Sequence, residues 1–440
     1  MKPIKVGLLG IGTVGSGTFQ VLQRNLEEIT RRAGRAIEIV AIADLNTARA
    51  SELSGGLCRV VADGNLIVND PDIDVVIELI GGSGVAKDLV LKAIANGKHV
   101  VTANKAMLAM HGNEIFAHAN EKGVMIGYEA AVAGGIPIIK ALREGLSANR
   151  IEWIAGIING TTNFILSEMR ERGIDFGTAL TEAQGLGYAE ADPTFDVEGV
   201  DAAQKVTIMA AIAFGIPIQF SKAHVEGISN LQAIDIRYAE QLGYRIKLLG
   251  IAKRVYVDGI EGIELRAHPT LIPSKLLMAN VEGAMNAVLV QGDAVGATLY
   301  YGKGAGAEPT ASAVIADLVD IVRLNTTDSQ HRVPHLAFQL DAMKDIPILP
   351  MSEIRTCYYL RLHVADKPGV LADLTGILAD ATISIDAMLQ KEPAEGESQT
   401  DIIMLTHQVQ EKNVLAAIAK IEALETVCGS VTMIRLENLN

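Results

Sequence analysis

Residues 4–15 read Ile4-Lys5-Val6-Gly7-Leu8-Leu9-Gly10-Ile11-Gly12-Thr13-Val14-Gly15. Residues 4–10 form a short apolar run of the kind that makes a buried strand. The second half is a G-x-G-x-x-G, and residues 14–32 continue with helical periodicity and a basic end. Such a glycine triplet means little alone. Between a strand and a helix it specifies a dinucleotide-binding turn. Gly10 permits the tight turn, Gly12 lets backbone approach a pyrophosphate, and Gly15 allows close helix–strand packing. The helix N-terminus adds free N–H groups and a positive dipole end.

Outward from this turn, residues 38–44 read as a second strand ending at Asp44. An acid there accepts hydrogen bonds from ribose hydroxyls, which leans the reading toward NAD. Arg49 lies close enough to meet a 2′-phosphate, so NADP stays open. Capping of the next turn is the alternative use of Asp44. Strand-like runs at 75–79, 100–102 and 124–128 alternate with helical runs at 87–96 and 115–122. This rhythm predicts an α/β domain with a parallel sheet covered on both faces.

The 440 residues argue for two to four domains. With 38 basic and 52 acidic side chains the net charge is −14, which argues against a nucleic-acid binder, since that would need a basic face. Cys58, Cys357 and Cys428 are too scattered for a disulfide framework or a cysteine zinc site. They fit a reducing, cytoplasmic setting. The longest apolar run, 206–218, contains Pro217 and falls short of the roughly 20 residues a membrane span needs. The N-terminus runs straight into the glycine motif and is not read as a signal peptide.

A second segment begins near Gly134. It has strand-like runs at 151–158, 247–257, 264–269 and 287–292, and helical runs at 163–172 and 200–214. A glycine loop at 302–306 leads into a helix from Pro309. Residues 324–352 carry Pro334, Pro347 and Pro350 with few periodic apolar positions and read as a linker. The remainder alternates as strand 357–364, helix 368–381, strands 383–391 and 400–409, helix 411–424 and strand 431–436. That βαββαβ order is ferredoxin-like.

The richest chemistry lies at 183–205, where glycines and acids crowd one loop before the apolar helix. Asp201 and Lys205 are i and i+4 on that helix and share a face. A surface pair of this kind contributes little. On a helix continuing Val-Thr-Ile-Met-Ala-Ala, it more readily lines a site.

From Ala183 through Gly187, Asp192-Pro193, Asp196, Gly199 and Asp201 to Lys205, the chain closely resembles the homoserine dehydrogenase family. The likeness extends over Gly10–Gly15, Thr102-Ala103-Asn104-Lys105, residues 129–135, Asn159-Gly160-Thr161 and residues 302–312, and covers roughly 1–325. The tail, with Asp366-Lys367-Pro368-Gly369-Val370-Leu371, resembles an ACT domain. The resemblance implies an oxidoreductase interconverting L-homoserine and L-aspartate 4-semialdehyde with NAD(P), in threonine, methionine and isoleucine biosynthesis. It implies Lys205 as proton donor with Asp201 as partner, and Glu190 as receiver of the substrate ammonium. Tyr188, Asp196, Gly160, Thr161 and Lys105 would complete the pocket. Gly10, Ile11, Gly12, Thr13, Val14, Gly15, Asp44, Thr102, Lys105 and Gly304 would face the cofactor. Glu129, Val132, Gly134 and Ile136 would hold a monovalent cation, sodium or potassium, through hard oxygen ligands. Asp366, Gly369, Val370 and Leu371 would sense an amino acid, threonine as the pathway's end product. A homodimer or homotetramer is implied, with no nucleic-acid or membrane partner.

These readings predict four parts. They are a Rossmann domain at 1–133, a catalytic domain at 134–323 whose final helix can pack back on the first, a linker at 324–353 and an ACT domain at 354–440. The tail is expected to pair edge to edge with a second copy and to be dispensable for catalysis, so that a chain ending near Ser352 stays active provided the core's own interface holds the oligomer. Edge pairing alone, without sensing, is its other reading. Two competitors are a silent nucleotide-binding sensor and another dehydrogenase on the same scaffold. The intact Lys105, Glu190, Asp201 and Lys205 set argues against the first. An acyl-enzyme semialdehyde dehydrogenase needs a nucleophilic cysteine, and none of the three is well placed.

Overall fold

The computed structural model describes residues 2–391 and 398–439; Met1, Asn440 and residues 392–397 lie outside it. The first unit is built on β1 (Ile4–Leu9), β2 (Ile37–Ala43), β3 (Arg59–Val61), β4 (Val75–Glu78), β5 (His99–Thr102) and β6 (Ile126–Gly127). They form a parallel sheet in the order β3-β2-β1-β4-β5-β6. Val75, Val76, Ile77, Val100 and Val101 are wholly buried, as strands covered on both faces must be. The order reverses between β1 and β4, and the glycine turn follows β1 at that switch point. The expected helix at 14–32 is in fact two, Thr13–Arg24 and Leu26–Ala33, broken at Asn25, a poor residue for a helix interior. The expected helix at 115–122 begins earlier, at Lys105, because the Asn104 side chain caps it.

The second unit contributes β7 (Ile151–Ile157), β8 (His224–Val225), β9 (Tyr244–Val257), β10 (Ile260–Pro273), β11 (Met285–Gly292) and β12 (Gly296–Lys303). The helix Val200–Phe214 lies on one face of this sheet, with Val206, Met209 and Ile212 in the main core. Strand β12, with only alternating, half-exposed apolar side chains, escaped the sequence reading. The helix Ala307–Leu324 returns to the first unit, and Ala311, Val314, Leu318 and Ile321 enter its core.

The tail comprises β13 (Arg355–Ala365), β14 (Ile385–Gln390), β15 (Gln399–Thr406), β16 (Val409–Gln410) and β17 (Thr432–Leu436), with helices Val370–Asp380 and Glu411–Glu422. Its order, β17-β13-β15-β14, is ferredoxin-like, but its sheet does not stand alone. Strand β17 pairs in parallel with β10 through Thr270–Arg435 and Leu271–Leu436, making one sheet of 11 strands among the described residues. Edge pairing with a second copy is therefore closed at β17; that edge is covered by the chain's own β10.

Charged side chains seal the seam. Arg266 on β10 meets Glu264 at 2.8 Å and Glu437 at 2.6 Å. Arg435 on β17 meets Glu226 and Glu411, each at 2.7 Å. Asp235, fully buried, takes Arg361 at 2.6 Å and the Tyr359 hydroxyl at 3.0 Å.

The proline-rich segment is a strap, not a free linker. Lys344 N donates to Gly215 O, Ile263 N to Pro347 O, and Leu349 N to Ile263 O. His335 stacks on Phe116 and accepts from Ile126 N, while the Tyr128 hydroxyl donates to its carbonyl. Its prolines hold extended backbone that serves as a hydrogen-bonding partner despite the lack of periodicity.

Candidate active site

The three glycines of the fingerprint do different work. Gly10 has φ +93°, and a Cβ there would lie 2.7 Å from Leu79 O. A Cβ on Gly15 would lie 2.1 Å from Gly10 O, whereas one on Gly12 would meet nothing within 4 Å. Gly10 and Gly15 are fixed by packing, and Gly12 opens onto free space at an uncapped helix N-terminus. That is the cradle a pyrophosphate needs.

Asp44 serves the turns on either side. Its Oδ2 accepts from Ile11 N and its Oδ1 from Asn46 N, both at 2.7 Å. It ties the glycine turn to the turn after β2, and each oxygen keeps a lone pair. Arg49 is exposed on the following helix.

Glu78 and Asn104, which the sequence reading gave no role, organise the end of the parallel sheet. Glu78 is fully buried at the end of β4. Its Oε1 accepts from Ile80 N and Gly81 N, and its Oε2 from the Thr102 hydroxyl at 2.7 Å. That hydroxyl accepts from Asn104 N, and Asn104 caps the helix that Lys105 opens. The Thr102 side chain thus braces the Asn104 cap from inside the fold. Lys105 is not a loosely placed lysine after a strand: it starts a capped helix, with about a third of its side chain exposed.

From the second unit, the helix Val200–Phe214 brings Asp201 and Lys205 to the same place. Lys205 Nζ donates to Asp201 Oδ2 and to Ile158 O, each at 2.7 Å. Lys105 Nζ stands 3.1 Å from Asp201 Oδ1. One buried carboxylate therefore bridges two lysines from two units. Asn159, unassigned from sequence, donates to Asp201 Oδ2 at 2.9 Å and Asp196 Oδ1 at 2.6 Å. The Thr161 hydroxyl donates to Tyr188 O and Asp196 Oδ2. Gly160 and Thr161 open the helix Gly160–Arg172, three residues ahead of its expected start. Tyr188 leans on Phe164, and Phe195 lies under Lys105 at 5.7 Å. Glu190 is exposed at the rim, and its carbonyl accepts from Gln184.

Burial and charge compete here. Burial alone would raise Asp201, but Lys205 and Lys105 outweigh it and hold the carboxyl at about 2. Burial pulls Lys205 below the ordinary lysine value, and Asp201 only partly restores it. Lys105 is also depressed by burial, yet Asp201 outweighs that and leaves it raised. Asp196 is raised by burial and by Asp201 beside it. The cluster offers a fixed anion, a lysine eased toward losing its proton, and a second cation at the mouth.

Residues 129–136 line the crossover between the units. The Glu129 carboxylate receives Ile139 N and Lys140 N, each at 2.8 Å. Ile136 O accepts from Ile138 N and Glu129 O from Val132 N. Among the described residues no donor reaches the carbonyls of Val132 or Gly134. Oxygen donors of this type suit a hard monovalent cation, and the Glu129 side chain is already engaged. In the tail, Gly369 has φ +98° at the start of the helix Val370–Asp380, and a Cβ there would meet nothing within 4 Å among the described residues. Asp366 N is bonded to Ser398 O, Val370 is buried, and Leu371 packs at the edge of the tail's core. No described helix is long and apolar enough to cross a membrane.

Three family models match the chain. "Homoserine dehydrogenase, NAD binding domain" matches residues 10–129, "Homoserine dehydrogenase" 137–319 and "ACT domain" 358–426. A homoserine dehydrogenase of Pseudomonas aeruginosa is 61% identical over 440 residues, covering 100% of both chains. One of Bacillus subtilis is 40% identical, covering 99% of each. Among solved structures, a homoserine dehydrogenase from Thiobacillus denitrificans is 67% identical with TM-score 0.95, covering 100% of this chain and 99% of its own. A homoserine dehydrogenase of S. aureus is 32% identical with TM-score 0.76, covering 99% of each.

Proposed function

The chain belongs to the homoserine dehydrogenase family of NAD(P)-binding oxidoreductases, and on that premise we propose how its own residues perform the reaction. The observation that carries the proposal is Asp201 bridging Lys105 and Lys205. When bound, the nicotinamide supplies or accepts the hydride. Lys205 moves the proton, giving it to the developing alkoxide in aldehyde reduction and taking it from the hydroxyl in homoserine oxidation. Its burial-lowered pKa suits both directions. Asp201 keeps the ammonium aimed and stays ionised throughout. Lys105, at the mouth of the site, steadies negative charge on the reacting oxygen. Glu190 receives the substrate ammonium, with Tyr188, Gly160, Thr161 and Asp196 shaping the pocket.

Residues 10–15, the backbone at Thr102, Lys105 and Gly304 line the cofactor cleft, with Asp44 on the ribose hydroxyls and NAD preferred. The carbonyls of Val132, Gly134 and Ile136, with the Glu129 backbone, bind sodium or potassium. The chain divides at 1–133, 134–323, 324–353 and 354–440, with Ala307–Leu324 returning to the first part. It works in the cytoplasm as a homodimer or homotetramer in threonine, methionine and isoleucine synthesis. Threonine inhibits it through Asp366, Gly369, Val370 and Leu371.

Homoserine-dependent reduction of NAD+ or NADP+ by the purified protein tests the activity. Its absence with both dinucleotides sinks the reading. Threonine inhibition that survives Gly369→Val unchanged would move the effector away from the tail.

A further inference from the structure

This inference rests on the proposed cofactor cleft, whose second wall is the glycine loop at 302–306. Asn286, near the start of β11, is only 1% exposed. Side chains alternate along a strand. Val288 and Val290 face the core shared with the helix Val200–Phe214, while Ala287 faces the other way. Asn286 therefore points to the side of the sheet that carries Lys205. One step beyond the Ala287–Ile157 pair, it stands opposite Ile158, whose carbonyl receives Lys205 Nζ. On its other side it pairs with Gly302.

Its carboxamide presses on the loop. A Cβ on Gly304 would fall 1.8 Å from Asn286 Nδ2. From the opposite side, a Cβ on Gly134 would fall 2.5 Å from Gly304 O. Gly304 is not in the left-handed region, so lack of room is what demands a glycine there. Asn286 Oδ1 is buried with no hydrogen-bond partner among the described residues. An unpaired buried acceptor is costly, and a fold keeps one where another partner satisfies it.

We propose that Asn286 is a positioning residue for the cofactor end of the cleft: its carboxamide sets the Gly304 backbone against the Lys205 shelf and keeps Oδ1 for a donor that arrives with the dinucleotide. The test compares reduced-dinucleotide affinity, followed by nicotinamide fluorescence, with steady-state constants in the full chain. Asn286→Ala should weaken dinucleotide binding by about tenfold, with the homoserine KM and the melting temperature nearly unchanged. Gly304→Ala alone should weaken it similarly, because its methyl meets the carboxamide. In the Asn286→Ala background that methyl has room, so the double variant should bind better than the product of the single losses predicts. Unchanged affinity in Asn286→Ala, or strictly multiplicative losses, overturns the proposal. Asn286→Ser carries the same comparison if the alanine variant does not fold. Failure of wild-type protein to oxidise homoserine would strike the activity and leave this binding test standing.

Discussion

Two regions of buried charge solve the same problem with different cations. At the active site the cations are Lys105 and Lys205 around Asp201. At the seam with the tail they are Arg266 and Arg435 among Glu264, Glu437, Glu226 and Glu411. Burial pushes both kinds toward neutrality. At Arg266 and Arg435 the neighbouring acids outweigh it and raise them further, whereas Lys205 stays depressed. A guanidinium keeps its charge and offers a planar fork; an ammonium surrenders its proton when desolvated. Lys205 stands where a proton has to move, and Arg266 and Arg435 where charge has to stay.

The largest break in this contrast is removal of the tail. A chain ending after Ser352 loses Glu437 from Arg266, and both Arg361 and Tyr359 from Asp235. It also uncovers the main-core face packed by Tyr359, Ile403, Leu405, Ile434 and Leu436, and each such buried side chain contributes about 1.5–3 kcal/mol against a whole-domain stability of about 5–15. The expected outcome is little folded protein, scored by soluble yield and circular dichroism. This reverses the sequence expectation of a dispensable tail, and a soluble, active truncation would restore it.

Next comes Lys205→Arg. Charge is conserved, but the proton is no longer available, so turnover should fall by about 10² or more with dinucleotide affinity retained. Near-normal turnover would mean that Lys205 only holds charge. At the seam the reverse pattern is expected. Arg435→Met strands the buried Glu411 and should lower unfolding free energy in urea by about 3 kcal/mol or more, while the folded enzyme turns over near the wild-type rate. Asp44→Ser should shift the NADP/NAD preference ratio on the order of tenfold toward NADP. Because it also frees Ile11 N, NAD use should weaken in parallel.

The smallest effect is a shift in pH. Homoserine oxidation needs neutral Lys205, so its rate should rise with pH through a pKa below 10.5, and aldehyde reduction should fall through the same value. Asp201 holds that pKa up, so Asp201→Asn should move the limb to lower pH. An unmoved limb in the residual activity would assign the ionisation to another group.

The two regions also differed in how far sequence exposed them. The glycine turn, the Asp201/Lys205 spacing and the βαββαβ order are local patterns, and each appears where periodicity placed it. Glu78 and Asn159 could not be assigned in that way. Their roles come from partners 24 and 42 positions away, Thr102 and Asp201. The seam was less legible still. Arg266 and Arg435 sit on ordinary alternating strands, and nothing local marks them as paired across β10 and β17. The proline-rich strap was misread because extended backbone can be anchored by hydrogen bonds without any apolar rhythm.

The pairing of β10 with β17 has a consequence in time. Arg266 and Glu437 are 171 positions apart. At about 5–20 residues per second, a ribosome takes roughly 10 to 35 s to travel between them. Throughout that interval the nascent β10 has no β17 to pair with, and Arg266 has Glu264 and His268 but not Glu437. The sheet therefore closes late, through a contact of high sequence separation, which is slow to form. Until then the part of β10 beyond its short pairing with β8 presents an open β edge, the feature most exposed to wrong partners. The demand for a chaperone during synthesis should fall on this stretch, well after the dinucleotide domain has emerged.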